Sequence, residues 1–239
     1  MEDNKTVAIF GAMKEEIEAY ENLKSKDFGL KIITYETGIG KPRVAAGLQK
    51  IITEHKPGVV ILAGVAATLT EEFKIGDICV GVGCIDADMD VRPLPGHIRG
   101  QQPFSEERVY NSDRELVFAA MKTPGIDAKR AYIATGSAFL DKEGKQRFLR
   151  KINPLLEANV EGKIQVPSIY DMESSAFLQI AKSNGIPALV MRAVSDDMKG
   201  NSVEDFNAFI NSQAMSSYIP IIENILSQYD QFVSNRVRV

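Results

Sequence analysis

Histidine and cysteine occur only twice each in this chain, as His55, His97, Cys79 and Cys84. Zinc sites draw most of their four ligands from these two residue types, so no metal is expected. Two cysteines cannot form a disulfide framework, and a reducing cytoplasm is the expected setting. An excess of positive charge is also lacking: 28 Lys and Arg stand against 32 Asp and Glu, for a net charge of −4. That balance argues against nucleic acid or an anionic membrane surface as a partner. No stretch approaches the roughly 20 apolar residues that span a bilayer. The start, MEDNKTVAIF, has no basic segment ahead of its apolar run, so no export signal is expected. Neither a GxxxxGKS/T loop nor a GxGxxG turn follows the first apolar run, which excludes the common nucleotide-phosphate cradles there.

What is present is an alternation of β-rich and helical runs. TVAIFGAM, LKIITYETG, GVVILAGVA, GDICVGVGCIDAD, RAYIATGSAF, KIQVPSIY and IPALVMRAVSD read as strands. EEIEAYENLKS, KPRVAAGLQKIITEHK, DRELVFAAMK, KEGKQRFLRKI and DMESSAFLQIAKSNG read as helices, the second with a stripe at Val44, Leu48, Ile51 and Ile52. Asn184-Gly185 supplies a helix stop. A long closing helix is expected from Ser202 to Tyr229, with Ser202 and Asp205 as a capping box and a kink or interruption at Pro220. Continuous Val, Ile and Leu runs fit strands buried on both faces of a largely parallel sheet. The class is therefore α/β with helices on both faces. With no linker or repeat in view, residues 1–239 are read as one domain. The proline- and glycine-rich stretch 90–104 is expected to be a long functional loop.

Ligands in such sheets gather at the carboxyl ends of strands. Several strand ends carry acids, and three of them stand out. GAMKEE places Glu15 and Glu16 at a helix start, where stabilisation of the helix dipole is the ordinary reading. DMESSAF brings Met172 and Glu173, and a carboxylate can accept both hydroxyls of a cis-diol. SDD brings Asp196 and Asp197, which point opposite ways if the strand persists. By the same count Arg192 and Asp196 share a face. Spacing alone leaves open which aspartate enters a site.

The ordered set VAIFGAMKEE, TGIGK, KIGDI, DADMDVRPL, TGSAF, DMESSAF and MRAVSDDM resembles the 5′-methylthioadenosine/S-adenosylhomocysteine nucleosidases of the purine nucleoside phosphorylase superfamily. The resemblance runs from about Val7 to the closing helix. It implies a twisted, mixed central β-sheet flanked by helices and hydrolysis of the ribose–adenine bond without a cofactor. It further implies Asp196 as the acid that donates to purine N7, Glu16 as the base for water, Glu173 as the holder of the ribose hydroxyls, and Arg192 near the water. Met172 would lie against the sugar. Phe139 and Leu140 would contact the purine, Met13 and Phe206 the 5′-thio group, and Ala66, Ala67 and Ser195 would complete the site. Met89 would cross the interface of a homodimer. Nucleoside substrate and adenine product are the implied partners.

The carboxylate at Glu16 disfavours a phosphate dianion and favours water. Two departures stand out. GVAAT replaces a Ser-Ala-Gly-Gly-like turn, so Val65 offers no hydroxyl. Ser137 stands where an aspartate is common. Arg92 is either a receptor for a substrate carboxylate or a solvated loop charge, the latter being the simpler reading. A phosphorylase, a nucleosidase for another nucleoside, and a nucleoside-binding protein with weakened catalysis remain open at this point.

Overall fold

A computed structural model describes residues 5–103, 105–197 and 202–234. The elements are β1 (Thr6–Gly11), α1 (Lys14–Glu18), β2 (Lys31–Glu36), α2 (Lys41–His55), β3 (Val59–Thr68), β4 (Ile78–Asp86), β5 (Val109–Asn111), α3 (Arg114–Met121), β6 (Ala128–Thr135), α4 (Lys142–Lys151), β7 (Ala158–Val160), β8 (Lys163–Gln165), β9 (Ile169–Asp171), α5 (Ser174–Ser183), β10 (Ala188–Asp196), α6 (Ser202–Ile210), α7 (Ile219–Ser227) and α8 (Tyr229–Ser234). No helix among the described residues is long and apolar enough to cross a membrane.

The central sheet is mixed. β1–β2, β1–β3, β3–β10, β4–β6 and β6–β9 run parallel, whereas β4–β10, β3–β9 and β4–β5 run antiparallel. Because β9 returns to β3, the strands β3, β10, β4, β6 and β9 close into a ring. β1 and β2 extend the sheet from β3, and β5 extends it from β4. β3 is the hub. One edge pairs with β1 as far as Phe10 opposite Leu62, and with β9 only from Ala67 opposite Tyr170. Residues 63–66 on that edge therefore have no strand partner, while β10 continues along the other edge.

Both sheet faces are buried, which accounts for the unbroken apolar runs. Val7, Ile9, Val59, Ile61, Leu189 and Met191 enter one core cluster with residues of α1, α3 and α7. Their neighbours Ala8, Phe10, Val60, Leu62, Ala188 and Val190 enter another with α2 and α5. Within the second, Phe177 of α5 meets Phe10 edge-on, with ring centroids 5.4 Å apart.

α5 ends as its sequence predicts. Gly185 takes φ +67°, its N–H reaches the Lys182 carbonyl, and the Ile186 N–H reaches the Ala181 carbonyl. Several elements differ from expectation. The helix read over 15–25 is the short α1 followed by a 3-10 turn at Glu21–Ser25. KIQVPSIY is two strands, β8 and β9, because Pro167 cannot donate to a ladder. The closing helix is broken into α6, a 3-10 turn at Gln213–Tyr218, α7 and α8. Pro220 lies in the first turn of α7, where a missing N–H costs nothing, so the chain is interrupted before the proline. The capping box fails as well: Ser202 is already helical, and its hydroxyl has no partner among the described residues. Segment 90–103 forms turns and no regular element.

Phe177 is fully buried. Phe177→Ala is expected to lower unfolding free energy by about 3–5 kcal/mol in urea denaturation, the usual cost of emptying a large aromatic site.

Candidate active site

The carboxyl ends of β1, β3, β6, β9 and β10 surround a cavity of about 90 Å³, with Phe206 of α6 also in its wall. The unpaired edge of β3 forms part of it. A buried backbone donor without a strand partner needs another acceptor. For Val65 that acceptor is Glu16 Oε1, at 3.0 Å. Glu16 sits in the first turn of α1, and its Oε2 also takes the N–H groups of Ala12 at 2.5 Å and Met13 at 3.2 Å. Half of a capping box thus fixes the carboxylate in the cavity wall. Burial pushes the Glu16 pKa up, while the Arg192 charge and the three N–H donors draw it back.

Arg192 of β10 is wholly buried and does not line the cavity. It pairs with Asp171 Oδ2 at 2.7 Å through Nη2 and at 2.9 Å through Nε, and with Glu173 Oε2 at 3.4 Å. Asp171 also accepts from Thr135 Oγ1 at 2.7 Å and from the Ser174 N–H at 3.1 Å. Burial alone lowers an arginine pKa. Here the charges of Asp171, Glu173 and Glu16 outweigh that effect and raise it. Glu173 lines the cavity, and its Oε1 takes the Gly40 N–H at 2.9 Å from the start of α2. Burial raises its pKa against the pull of Arg192. The group is tightly wedged: a Cβ on Gly64 would stand 2.4 Å from Glu16 Oε1 and 2.5 Å from Arg192 Nη1.

Asp196 enters the cavity by a different route from the one read by strand parity. β10 pairs residue for residue with β3 up to Val194 opposite Ala66, then shifts so that Asp196 faces Ala67. Ser195 is the extra residue of a β-bulge, and bulges re-aim side chains. Counting by two from Arg192 fails across it, so Arg192 lies behind the wall while Ser195 and Asp196 both line it. Ser195 Oγ lies 3.0 Å from Asp196 Oδ2 and 3.4 Å from the Ala66 carbonyl. Asp196 Oδ1 is buried and has no hydrogen-bond partner among the described residues. Burial pushes the Asp196 pKa up to about 6, with Ser195 and Lys145 pulling down and Asp205 and Asp197 pushing further up. Asp197 is outside this wall, and its carbonyl takes Lys145 Nζ at 2.7 Å.

Met13, Ala66, Ala67, Leu140 and Met172 all line the cavity. Phe139 and Phe206 do too, and meet edge-on with centroids 5.7 Å apart, so the walls read separately for base and 5′ group touch each other. Met89 lies outside, on the loop after β4. Arg92 is also outside, held by Asp90 at 2.7 and 2.6 Å, which makes it a loop ion pair. The departure at Val65 leaves its backbone function intact, since the N–H rather than the side chain serves Glu16. The sequence expectations did not place Asp171 in the site, nor Ile39, Tyr170 or Ala138 of the wall. An apolar run with one arginine inside it, IPALVMRAV, was the available signal for Asp171, because a buried guanidinium needs a carboxylate partner.

The model of the phosphorylase superfamily matches residues 6–219. The chain is similar to 5′-methylthioadenosine/S-adenosylhomocysteine nucleosidase of Haemophilus influenzae (strain PittEE), at 28% identity over 92% of this chain and 98% of that one. Among solved structures it is similar to the nucleosidase of that name from Neisseria meningitidis in complex with methylthio-immucillin-A. That similarity has TM-score 0.78 and 26% identity, over 94% of this chain and 99% of that one. It shares its fold with futalosine hydrolase of Helicobacter pylori at TM-score 0.80 and 22% identity, over 94% and 98% of the two chains.

The raised pKa of Asp196 makes stability depend on pH. The proton is held more tightly in the folded state (about 6) than in the unfolded chain (about 3.9), so the group favours folding below pH ~4 and that contribution is lost as pH rises through ~6. Asp196→Asn is expected to raise the melting temperature relative to wild type at pH 7.5, by up to about 3 kcal/mol of stability, and to bring no such gain at pH 4. Thermal melts at the two pH values check it.

Proposed function

The chain belongs to the phosphorylase superfamily, and on that premise we propose that it is an N-glycosyl hydrolase. Its substrates are adenine nucleosides, 5′-methylthioadenosine and S-adenosylhomocysteine, which it cleaves to adenine and the 5-thioribose product. The relatives at 28% and 26% identity carry that name. The observation that carries the reading is the pair of acids in one cavity. Asp196 holds a proton to about pH 6 and has a buried oxygen without a protein partner, and Glu16 is held by three backbone N–H groups.

Breaking an N-glycosidic bond builds positive charge on the sugar and negative charge on the base. Asp196 donates its proton to purine N7 as the C1′–N9 bond breaks, and neutral adenine leaves. Glu16 orients a water and takes one of its protons as the oxygen bonds to C1′. Glu173 accepts from the ribose hydroxyls, and Met172 packs on the sugar. Arg192 acts from behind the wall, holding Glu173 in place. Its charge and that of Asp171 keep the buried carboxylates at fixed positions around an oxocarbenium-like transition state. Ser195 orients Asp196. Phe139 and Leu140 contact the purine, Met13 and Phe206 the 5′-thio group, and Ala66 and Ala67 the backbone floor. No cofactor takes part.

Water rather than phosphate is the nucleophile in this reading, because no lysine or arginine lines the cavity among the described residues and its charged groups are all carboxylates. The same lining favours a short apolar 5′ substituent over one that ends in charged groups. The remaining parts of the reading are a single functional unit over 1–239, work in the cytoplasm in methionine salvage, and a homodimer. In the dimer Met89 reaches the partner's pocket. Leu94 and Ile98 are exposed on the same loop and supply apolar contact area.

Purified protein is expected to release adenine from 5′-methylthioadenosine equally fast with and without inorganic phosphate. Asp196→Asn should lower kcat by about 10²–10⁴-fold, the usual loss on removing a general acid. A requirement for phosphate would overturn the hydrolase reading, and tight nucleoside binding without turnover would make the chain a binding protein. Run in parallel, S-adenosylhomocysteine should give the lower kcat/KM of the two substrates.

A further inference from the structure

The lysine of TGIGK turns away from solvent. Lys41 is the first residue of α2, immediately after Gly40, whose N–H holds Glu173 at 2.9 Å. The Lys41 ammonium lies 2.7 Å from Asp86 Oδ1 and 3.0 Å from Asp88 Oδ2. Its side chain is 17% exposed and that of Asp86 14%, so the pair with Asp86 is no ordinary surface pair, while Asp88 is 46% exposed. Asp88 in turn lies 2.5 Å from Ser137 Oγ, which donates to it. The next three residues, Ala138, Phe139 and Leu140, line the cavity. The Asp88 N–H closes the cluster on Asp86 Oδ1 at 3.0 Å.

One ammonium therefore joins two walls of the site. On one side it anchors the start of α2, and with it the Gly40 donor of Glu173. On the other, through Asp88 and Ser137, it anchors the loop after β6. Gly40 takes φ +101°, a conformation that only glycine adopts readily, so the turn has no side chain of its own to hold it. The hydrogen bonds of Asp86 and Asp88 favour the charged lysine over the opposing effect of its burial. Without Lys41, Asp86 and Asp88 would face each other uncompensated.

We propose that Lys41, acting through Asp86, Asp88 and Ser137, is a positioning residue that couples the ribose carboxylate Glu173 to the base-contacting loop 137–140. The proposal rests on the nucleosidase reading for its substrate, not for its geometry. Losing the lysine should weaken nucleoside and adenine binding together. It should change the chemical step less, because Asp196 and Glu16 are held by other elements.

The test compares Lys41→Met, Lys41→Arg, Ser137→Ala and the Lys41→Met/Ser137→Ala double variant. The readouts are KM and kcat for 5′-methylthioadenosine and the inhibition constant of adenine. Lys41→Met should raise KM and the adenine constant by about tenfold each, the size of one charge-assisted hydrogen bond, with a smaller change in kcat. Lys41→Arg should recover most of the loss. Ser137→Ala should raise the adenine constant about threefold, and the double variant should be no worse than Lys41→Met, since both act through Asp88. KM and adenine constants within twofold of wild type in Lys41→Met would overturn the proposal, as would losses that multiply in the double variant. If Lys41→Met does not fold, Ser137→Ala decides: Ser137 is exposed, and an unchanged adenine constant overturns the coupling. If wild-type protein releases no adenine, the nucleosidase reading fails instead. The same variants are then judged by adenine binding in calorimetry, where the predicted changes keep or sink the network by themselves.

Discussion

Burying a guanidinium with carboxylates, out of contact with water, is the constraint around which this molecule is arranged. Desolvating each ion costs several kcal/mol, and close pairing with hydrogen bonding offsets it. Arg192 is paired by Asp171 and Glu173 through Nε and Nη2, while its Nη1 has no hydrogen-bond partner among the described residues, and Asp171 is completed by Thr135 and the Ser174 N–H. These partners come from β6, β9, α5 and β10, so the ion cluster ties four elements at one end of the sheet. Gly64 is bare because any side chain there would strike both Glu16 and Arg192. Tyr218 donates its hydroxyl to the Gly64 carbonyl, closing the cluster from the side of α7.

The cavity follows from a break in strand pairing. β1 leaves the edge of β3 after Leu62 and β9 joins it only at Ala67, so four residues of backbone lie open in the middle of a sheet. A sheet that paired throughout would have no room there for a ligand. The exposed Val65 donor is met by Glu16, which is how a residue from the first helix comes to stand against the third strand. The bulge at Ser195 works at the opposite edge of β3, turning Asp196 into the same space. One unpaired edge and one extra residue thus bring two acids from distant parts of the chain into one wall, each with its own device for fixing orientation.

Much of the architecture was legible because it follows from short-range pattern. Both-face burial left its mark as unbroken runs in β1, β3 and β10, and the Val44–Ile52 stripe marked α2. The stop of α5 could be read from Asn184-Gly185. What misled was local as well. The proline in KIQVPSIY separates β8 from β9 where one strand is expected, and the interruption expected at Pro220 falls just before it, so that the proline opens a new helix. The ring closure of the sheet was not legible, since it depends on β9, a three-residue strand, returning to β3. Such a strand carries too few residues to show a period.

The site divides in the same way. Acids at strand ends marked where to look, but Asp196, Glu16, Glu173 and Met172 were nominated by the family resemblance, since spacing alone left Asp196 and Asp197 equivalent and gave Glu16 an ordinary helix-dipole role. Parity could not separate Arg192 from Asp196, since a bulge is invisible to a count by two. It is set by pairing with β3, more than a hundred residues away in sequence. Nor could sequence show Asp171 as the partner of Arg192, Val65 as a donor to Glu16, or Lys41 bridging two walls. By itself the sequence determined which groups are available and where along each strand they sit. Tertiary structure decided which of them lose water and which meet. Desolvation and hydrogen-bond closure depend on every neighbour in space, and most of those neighbours are remote along the chain.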